Sequence, residues 1–290
     1  MPRSYLTPEK IANAYHNACM AELQALKPGN VHVFADGHGM TIQDFVKSAD
    51  VSAAVIAQPN LSVGERIFHS VVATKNAVGI NTNLGIILLC APLIHAAYCM
   101  SPEETLQQNL SDTLSKLTIS DAQYTAEAIL LANPAGLGGV NENDVHEKPS
   151  VTLLAMMQSA QHQDRIAWQY ANSFADIFNF GLARYGEAQY KWQNRSKTQH
   201  NAWATTALYL GFLARQLDTH VIRKHGESLA MDVMNEARKI DAAYLFVDNP
   251  KLIQKKLLDW DASLKYRSIN PGTTADITVA CVLASFLIIN

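Results

Sequence analysis

The sequence predicts an all-α fold, and three observations predict it. Helix-start signals recur along the chain, β-branched alternating runs bounded by tight Asn-Gly or Asp-Gly turns do not, and two stretches are apolar almost all round. Thr7-Pro8-Glu9 places an N-cap and a proline at the first helical position, opening a helix over about 8–26. Thr41 with Asp44, and Ser62 with Glu65, have the spacing at which side chain and backbone cap each other, so helices start near 42–57 and 63–79. The run from Asn83 to Met100 carries no formal charge, but polar Asn81–Asn83 precede it and Pro92 and His95 lie within it. It reads as a buried core helix over 82–98 rather than a membrane span, which needs about 20 predominantly apolar residues.

Ser101-Pro102-Glu103-Glu104 repeats the first capping device before a helix over 102–116. Further helices are expected over 120–131, 150–161, 164–182, 198–217, 226–246, 250–264 and 273–289. The stretches 82–98 and 273–289 have no polar face, which places them in the middle of a bundle. Asn133 to Ser150 is longer than the ~12–15 residues usual for a structureless connector and reads as a functional or mobile loop. With no sharp change of composition, the chain 1–290 is expected to form one large multi-helix bundle.

Of 290 residues, 48% are hydrophobic and 17% charged, which excludes a disordered chain. Lys and Arg number 23 against 26 Asp and Glu, and the pI near 6.4 argues against a basic nucleic-acid binder. A local basic pocket for a phosphorylated small molecule stays open. Cys19, Cys90, Cys99 and Cys281 are far apart without a zinc or disulfide spacing and are expected to be reduced core residues. The N-terminal stretch lacks the apolar run of a secretion signal, so a cytoplasmic protein is expected, with no membrane partner and a homodimer as the default assembly.

No phosphate-loop, strand-bound GxGxxG, HExxH or GxSxG pattern occurs. Three short polar segments stand at or beside helix starts instead: Lys27-Pro28-Gly29-Asn30, Asn81-Thr82-Asn83-Leu84-Gly85, and Asn270-Pro271-Gly272-Thr273-Thr274-Ala275-Asp276. Helix N-termini offer free amides and the positive dipole end, and glycine lets a ligand approach the backbone. Taken singly, each has a structural account: Pro-Gly is a turn, Thr82 an N-cap, and Thr273 with Asp276 a capping box. Together they flank the two most apolar helices and would line a polar mouth at one end of the core.

With Asp218-Thr219-His220 and Arg223 to Gly226 downstream, the order KPGNV, HGMTIQDFVKSA, VGINTNLG and INPGTTAD resembles the triphosphoribosyl-dephospho-CoA synthase family from about residue 18 onward. The resemblance implies an all-helical transferase that joins ATP to 3'-dephospho-CoA and releases adenine. It marks Lys27, Pro28, Gly29, His38, Asp44, Glu65, Asn81, Thr82, Gly85, Asp218, Thr219, Asn270, Pro271, Gly272, Ala275 and Asp276, and the same segments add Asn30, Asn83, Arg223, Thr273 and Thr274 as nucleotide-binding candidates. Two departures stand out. The family's N-T-H-K-G is here Asn81-Thr82-Asn83-Leu84-Gly85, and its D-T-N followed by R-G-G is Asp218-Thr219-His220 followed by Arg223-Lys224-His225-Gly226. The chain therefore resembles a divergent branch similar to members in organisms with methanopterin-linked one-carbon metabolism. Alternatives are a different donor or acceptor in one-carbon coenzyme biosynthesis, or a non-catalytic nucleotide-binding protein.

Displacing adenine from C1' of ATP passes through an oxocarbenium-like sugar, which calls for carboxylates. Asp276 is expected as base or cation stabiliser, and Glu65 and Asp218 as catalytic carboxylates that hold Mg²⁺ or the ribose. Lys27 and Arg223 are expected to neutralise phosphate, and the turns at Gly272 and Gly85 to donate amides. Capping competes as an explanation of Glu65, Asp44 and Asp164, and a core stripe is favoured for Trp168, Tyr170 and Phe174.

Overall fold

Local capping chemistry sets most of the helix starts. The computed structural model describes residues 6–100, 103–133 and 149–289. Helix α1 (Pro8–Gln24) begins at Thr7, whose hydroxyl accepts the Lys10 N–H, with Pro8 in the first turn where its missing N–H costs nothing. Helices α2 (Ile42–Ile56) and α3 (Val63–Val78) start at the Thr41/Asp44 and Ser62/Glu65 capping boxes, and α3 stops at Gly79 with φ 81°. Helix α4 (Leu84–Tyr98) follows Asn83 as its cap, and α5 (Leu106–Ser115) and α6 (Ile119–Ala132) carry capping boxes at Thr105/Gln108 and Thr118/Asp121. Thus α5 starts after the expected Ser101-Pro102 signal, and those two residues lie outside the described ones. So does 134–148, most of the expected long loop.

Helices α7 (Leu153–Ala160) and α8 (Arg165–Ala171) are followed by a π-turn (Ile177–Gly181), α9 (Leu182–Lys191) and α10 (Lys197–Arg215). The chain ends with α11 (Thr219–His225), α12 (Glu227–Phe246), a 3₁₀ turn (Pro250–Ile253), α13 (Gln254–Tyr266) and α14 (Gly272–Ile289). Among the described residues, the nearest approach to a sheet is two isolated antiparallel bridges, His32 with Ala35 and Gly37 with Met40.

The single helix expected over 164–182 is broken. Ser173 and Phe174 take positive φ of 49° and 57°, and the Phe174 N–H turns back to the Gln169 carbonyl at 2.8 Å. Tertiary contacts explain this: the Phe174 ring is fully buried beside Tyr170, and Asp176 is pulled onto α8 by the Arg165 guanidinium through two bonds of 2.9 and 2.8 Å. Helix α11 is also unexpected, and it exists because Asp218 caps two of its amides.

Helices α4 and α14 pack against each other at the centre, with α1 alongside. Side chains from Ile277 to Ala284 are all buried, and the one hydroxyl among them, at Thr278, bonds the Thr274 carbonyl one turn back. Pro92 sits inside α4 and has no N–H to give the Leu88 carbonyl; the buried Tyr170 hydroxyl donates to that carbonyl instead, at 2.6 Å. Among the described residues no helix is long and apolar enough to cross a membrane. Cys19, Cys90 and Cys281 are buried as expected, whereas Cys99, at the end of α4, is exposed.

Candidate functional site

The three polar segments meet at one end of the central helices. The turn 27–30 leaves α1 with Gly29 at φ 86°, where a β-carbon would come within 2.8 Å of Pro271 Cδ and 3.1 Å of the Ile269 carbonyl. Only glycine fits there. The Gly29 N–H donates to Asp261 at 2.8 Å, its carbonyl accepts from His38 Nε2 at 2.8 Å, and the Pro28 carbonyl accepts from the Tyr209 hydroxyl at 2.8 Å. Asn30 Nδ2 donates to Asn270 Oδ1 at 2.8 Å and joins the first segment to the third.

At the start of α4, Asn81 accepts the Leu84 N–H at 3.2 Å, Thr82 pairs with Ser48, and Asn83 donates to Ser52 at 3.4 Å. Leu84 is buried in the core, so the position where the resemblance has a lysine carries packing and no charge. The next residue, Gly85, lies directly against Asp276: a β-carbon on it would fall 2.0 Å from the carboxylate Oδ2. Helix α4 can approach the first turns of α14 only because this residue has no side chain.

Helices α11 and α14 are joined by Asp218, which accepts the His220 and Val221 amides at 2.9 and 3.1 Å and both the amide and hydroxyl of Thr274 at 2.7 Å. Thr219 bridges further, pairing with Thr273 at 3.1 Å and accepting the Arg165 N–H at 3.2 Å. Asp164 caps α8 with one oxygen, as expected, and takes the Arg223 guanidinium with the other at 2.5 Å.

Asp276 is partly buried at the meeting point of these helices and accepts no hydrogen bond from any described residue. Loss of solvent holds its carboxyl well above the usual range; the negative charges of Glu22, Asp218 and Asp164 push the same way and Arg223 pushes back. Burial also raises Glu22 and lowers Lys27, whose ammonium contacts the Glu22 carboxylate and donates to Asn30 Oδ1 at 3.0 Å. Opposite them stands a basic group. His220, packed on Gly272, is pushed down to about 3 by burial and then by Lys224, Arg223, His38 and His225, and its Nε2 has no partner.

Several expected roles change. Lys27 has no exposed surface and is the internal counterion of Glu22, so it is not a free phosphate ligand. Asp218 is a clamp with four hydrogen bonds, and Glu65 closes the α3 capping box by accepting the Ser62 N–H at 2.9 Å. Asp218 is therefore not an open metal ligand, while Glu65 has one oxygen committed to its cap; among the described residues no three His, Cys, Asp or Glu side chains gather as a metal site. Asp44 likewise caps α2 at Thr41. Thr273 and Asp276 do not form a capping box: Thr273 faces Thr219, Asp276 faces Gly85, and the Gly272 amide is given to the Asn270 carbonyl at 2.8 Å. Tyr170 and Phe174 are core residues, while Trp168 is stacked by the Arg165 guanidinium at 3.6 Å.

Glu22 and Asp261 were missed. The signal for Glu22 was present: Ile11, Tyr15, Ala18 and Glu22 follow one face of α1, so a charge sits on an apolar stripe. Asp261 carries no such mark: its one local partner, Lys265 a turn later, makes an ordinary helical ion pair, and His32 and Gly29 are distant in sequence.

The family model for ATP:dephospho-CoA triphosphoribosyl transferase (CitG) matches residues 8–289, nearly the whole chain. The chain belongs to this family. It is accordingly a transferase, and its all-helical architecture agrees. A crystal structure from Archaeoglobus fulgidus, described as that of a candidate triphosphoribosyl-dephospho-CoA synthase, has the same fold. It is 20% identical with a TM-score of 0.60, over 86% of this chain and 97% of the other. Among curated proteins none matches this chain in sequence. The polar end of the α4–α14 pair is thus the candidate active site of a triphosphoribosyl transferase.

Proposed function

We propose that Asp276 is the general base of triphosphoribosyl transfer from ATP to 3'-dephospho-CoA. The observation that carries this reading is its carboxylate, set against Gly85 with no hydrogen-bond donor from the described residues, at the one place where all three polar segments converge. An acceptor hydroxyl attacks C1' of the ATP ribose, the C1'–N bond to adenine breaks with its electron pair, and Asp276 takes the hydroxyl proton. The leaving adenine is protonated in turn. Held above the ordinary range by burial, this group in its ionised form is a stronger base than a solvated carboxylate and stabilises the positive charge developing on the sugar. Arg223, Lys224 and His38 surround His220 at the rim, where the triphosphate is placed.

Asn30, Asn270, Thr219, Thr273 and Thr274 are assigned to shaping this pocket, since their side chains already join its walls. ATP is read as entering with Mg²⁺ on its triphosphate. Of the carboxylates first expected to hold the ion, Asp218 does not fit that task, because both its oxygens are committed to backbone amides and a hydroxyl, whereas Glu65 gives only one oxygen to the Ser62 amide and keeps the other for the ion. An ATP-consuming transferase of this kind is read as a cytoplasmic enzyme. The test is Asp276→Asn, assayed by mass spectrometry for adenine and joined product from ATP, Mg²⁺ and 3'-dephospho-CoA. The expected result is a loss of about 10²- to 10⁴-fold in turnover with helical content retained; turnover within threefold of the unaltered enzyme sinks the assignment.

A further inference from the structure

A second cavity, of about 530 Å³, opens beside the active site on the far side of the 26–34 segment. That volume is in the range of small-molecule sites. Its floor is apolar, from Leu26, Trp203, Tyr244 and Leu257, and Phe34, about half exposed, stands at its edge. Its polar groups are mostly uncharged: Gln24, Gln199 and Gln254 supply carboxamides, and Lys251 is the single cation among the lining residues. Such a surface suits an extended chain of methylene and methyl groups interrupted by amides. It does not suit a nucleotide phosphate.

The cavity and the catalytic end share a wall, the 26–34 segment and helix α10. Leu26 on its wall adjoins Lys27, and Thr206 on its wall precedes by one helical turn Tyr209, whose hydroxyl holds the Pro28 carbonyl. Between the two, Lys265, paired with Asp261 at 3.0 Å, reaches over the loop to the Ala35 carbonyl at 3.1 Å, between Phe34 of the cavity and His38 of the active site. We propose that this cavity is the acceptor's tail site: it takes the pantetheine arm of dephospho-CoA, with the diphosphate passing Lys265 and the nucleoside end entering the Asp276 pocket. The assignment rests on dephospho-CoA being the acceptor, and the groups of the protein follow the order of that molecule: apolar and amide groups, then a cation, then the carboxylate that takes the proton.

The experiment is calorimetric titration of the full chain with dephospho-CoA and, separately, with ADP, which keeps the diphosphate and lacks the arm. Two groove variants are compared with the unaltered protein, Ala202→Trp, which fills the cavity, and Gln199→Ala with Gln254→Ala, which removes rim carboxamides without adding bulk. The expected result is a loss of about tenfold in dephospho-CoA affinity for the first and several-fold for the second, with ADP binding unchanged. Unchanged dephospho-CoA binding in folded variants overturns the proposal, and so does an equal loss for ADP. If Ala202→Trp does not fold, the double glutamine variant decides alone. Groove-dependent binding without adenine release from ATP would leave the tail site standing and refute the transfer reading; transfer unaffected by either variant would do the reverse.

Discussion

Replacing Gly85 by alanine separates helix propensity from site geometry. In an exposed helix, alanine is favoured over glycine by about 1 kcal/mol. At Gly85 the new methyl would stand 2.0 Å from Asp276 Oδ2, 2.5 Å from its Cγ and 3.0 Å from Ile166 Cδ1, so α4 and α14 must separate or the carboxylate must swing away. Overpacking of this kind costs about 1–3 kcal/mol, which equals or outweighs the propensity gain. The expected net loss is about 0–2 kcal/mol, a fall of up to roughly 5 °C in Tm for a chain of this size. Displacing the base by even ~1 Å is expected to lower kcat about 10²-fold. Gly186→Ala, in α9 with nothing within 4 Å of the added carbon, is the control and should raise Tm by about 1–3 °C with activity intact. The readouts are adenine release and thermal unfolding of both variants. A Gly85→Ala protein that melts higher and turns over within twofold of the parent would refute the contact on which the site is built.

Removing the cation that opposes the three carboxylates, by Arg223→Gln, should raise the Asp276 pKa further and move the acid limb of kcat/KM to higher pH. The same group makes stability fall with pH: the folded protein holds the Asp276 proton after the unfolded chain has released it, so the contribution is full below about pH 4 and is lost as pH rises through the raised value. Urea titrations at several pH values should show that slope flattened in Asp276→Asn. Lys27→Met strands the buried Glu22 charge and should cost about 3–5 kcal/mol in urea unfolding, most of it recovered in the Lys27→Met/Glu22→Gln pair. Asp121→Ala should cost about 2–3 kcal/mol by the same measurement, because this carboxylate accepts the Gly64 amide and both the amide and hydroxyl of Thr118, tying the starts of α3 and α6.

What was legible in the sequence was local. The Thr7, Thr41 and Ser62 caps announce α1, α2 and α3 within a few residues of their own positions, and the lack of a polar face on α4 and α14 announces burial. The break after Ala171 was not legible, since Phe174 takes its left-handed backbone from a core position and from Asp176 folding back onto Arg165. In the site, the convergence of the segments at 27–30, 81–85 and 270–276 was visible as pattern, but the division of labour within it was not. Lys27 looked available until its ammonium was seen to face Glu22 across the end of α1, and Asp218 looked open until Thr274, 56 residues away, took its second oxygen. A carboxylate that caps and one that reacts are the same letter, and only the count of donors around each distinguishes them.

The hydroxyl of Tyr170 on the Leu88 carbonyl has a consequence for descent. Proline at 92 leaves a carbonyl inside the bundle that something must satisfy, and tyrosine at 170 is a buried hydroxyl that needs an acceptor. The dependence runs one way: a lineage that replaces Pro92 restores the ordinary helical bond and leaves the tyrosine the carbonyl's second lone pair, whereas one that keeps Pro92 and replaces Tyr170 with phenylalanine orphans the carbonyl. Relatives that carry Pro92 should therefore carry Tyr170, and because Tyr170 lies on α8, that constraint also holds in place the helix whose cap, Asp164, meets Arg223 at the rim.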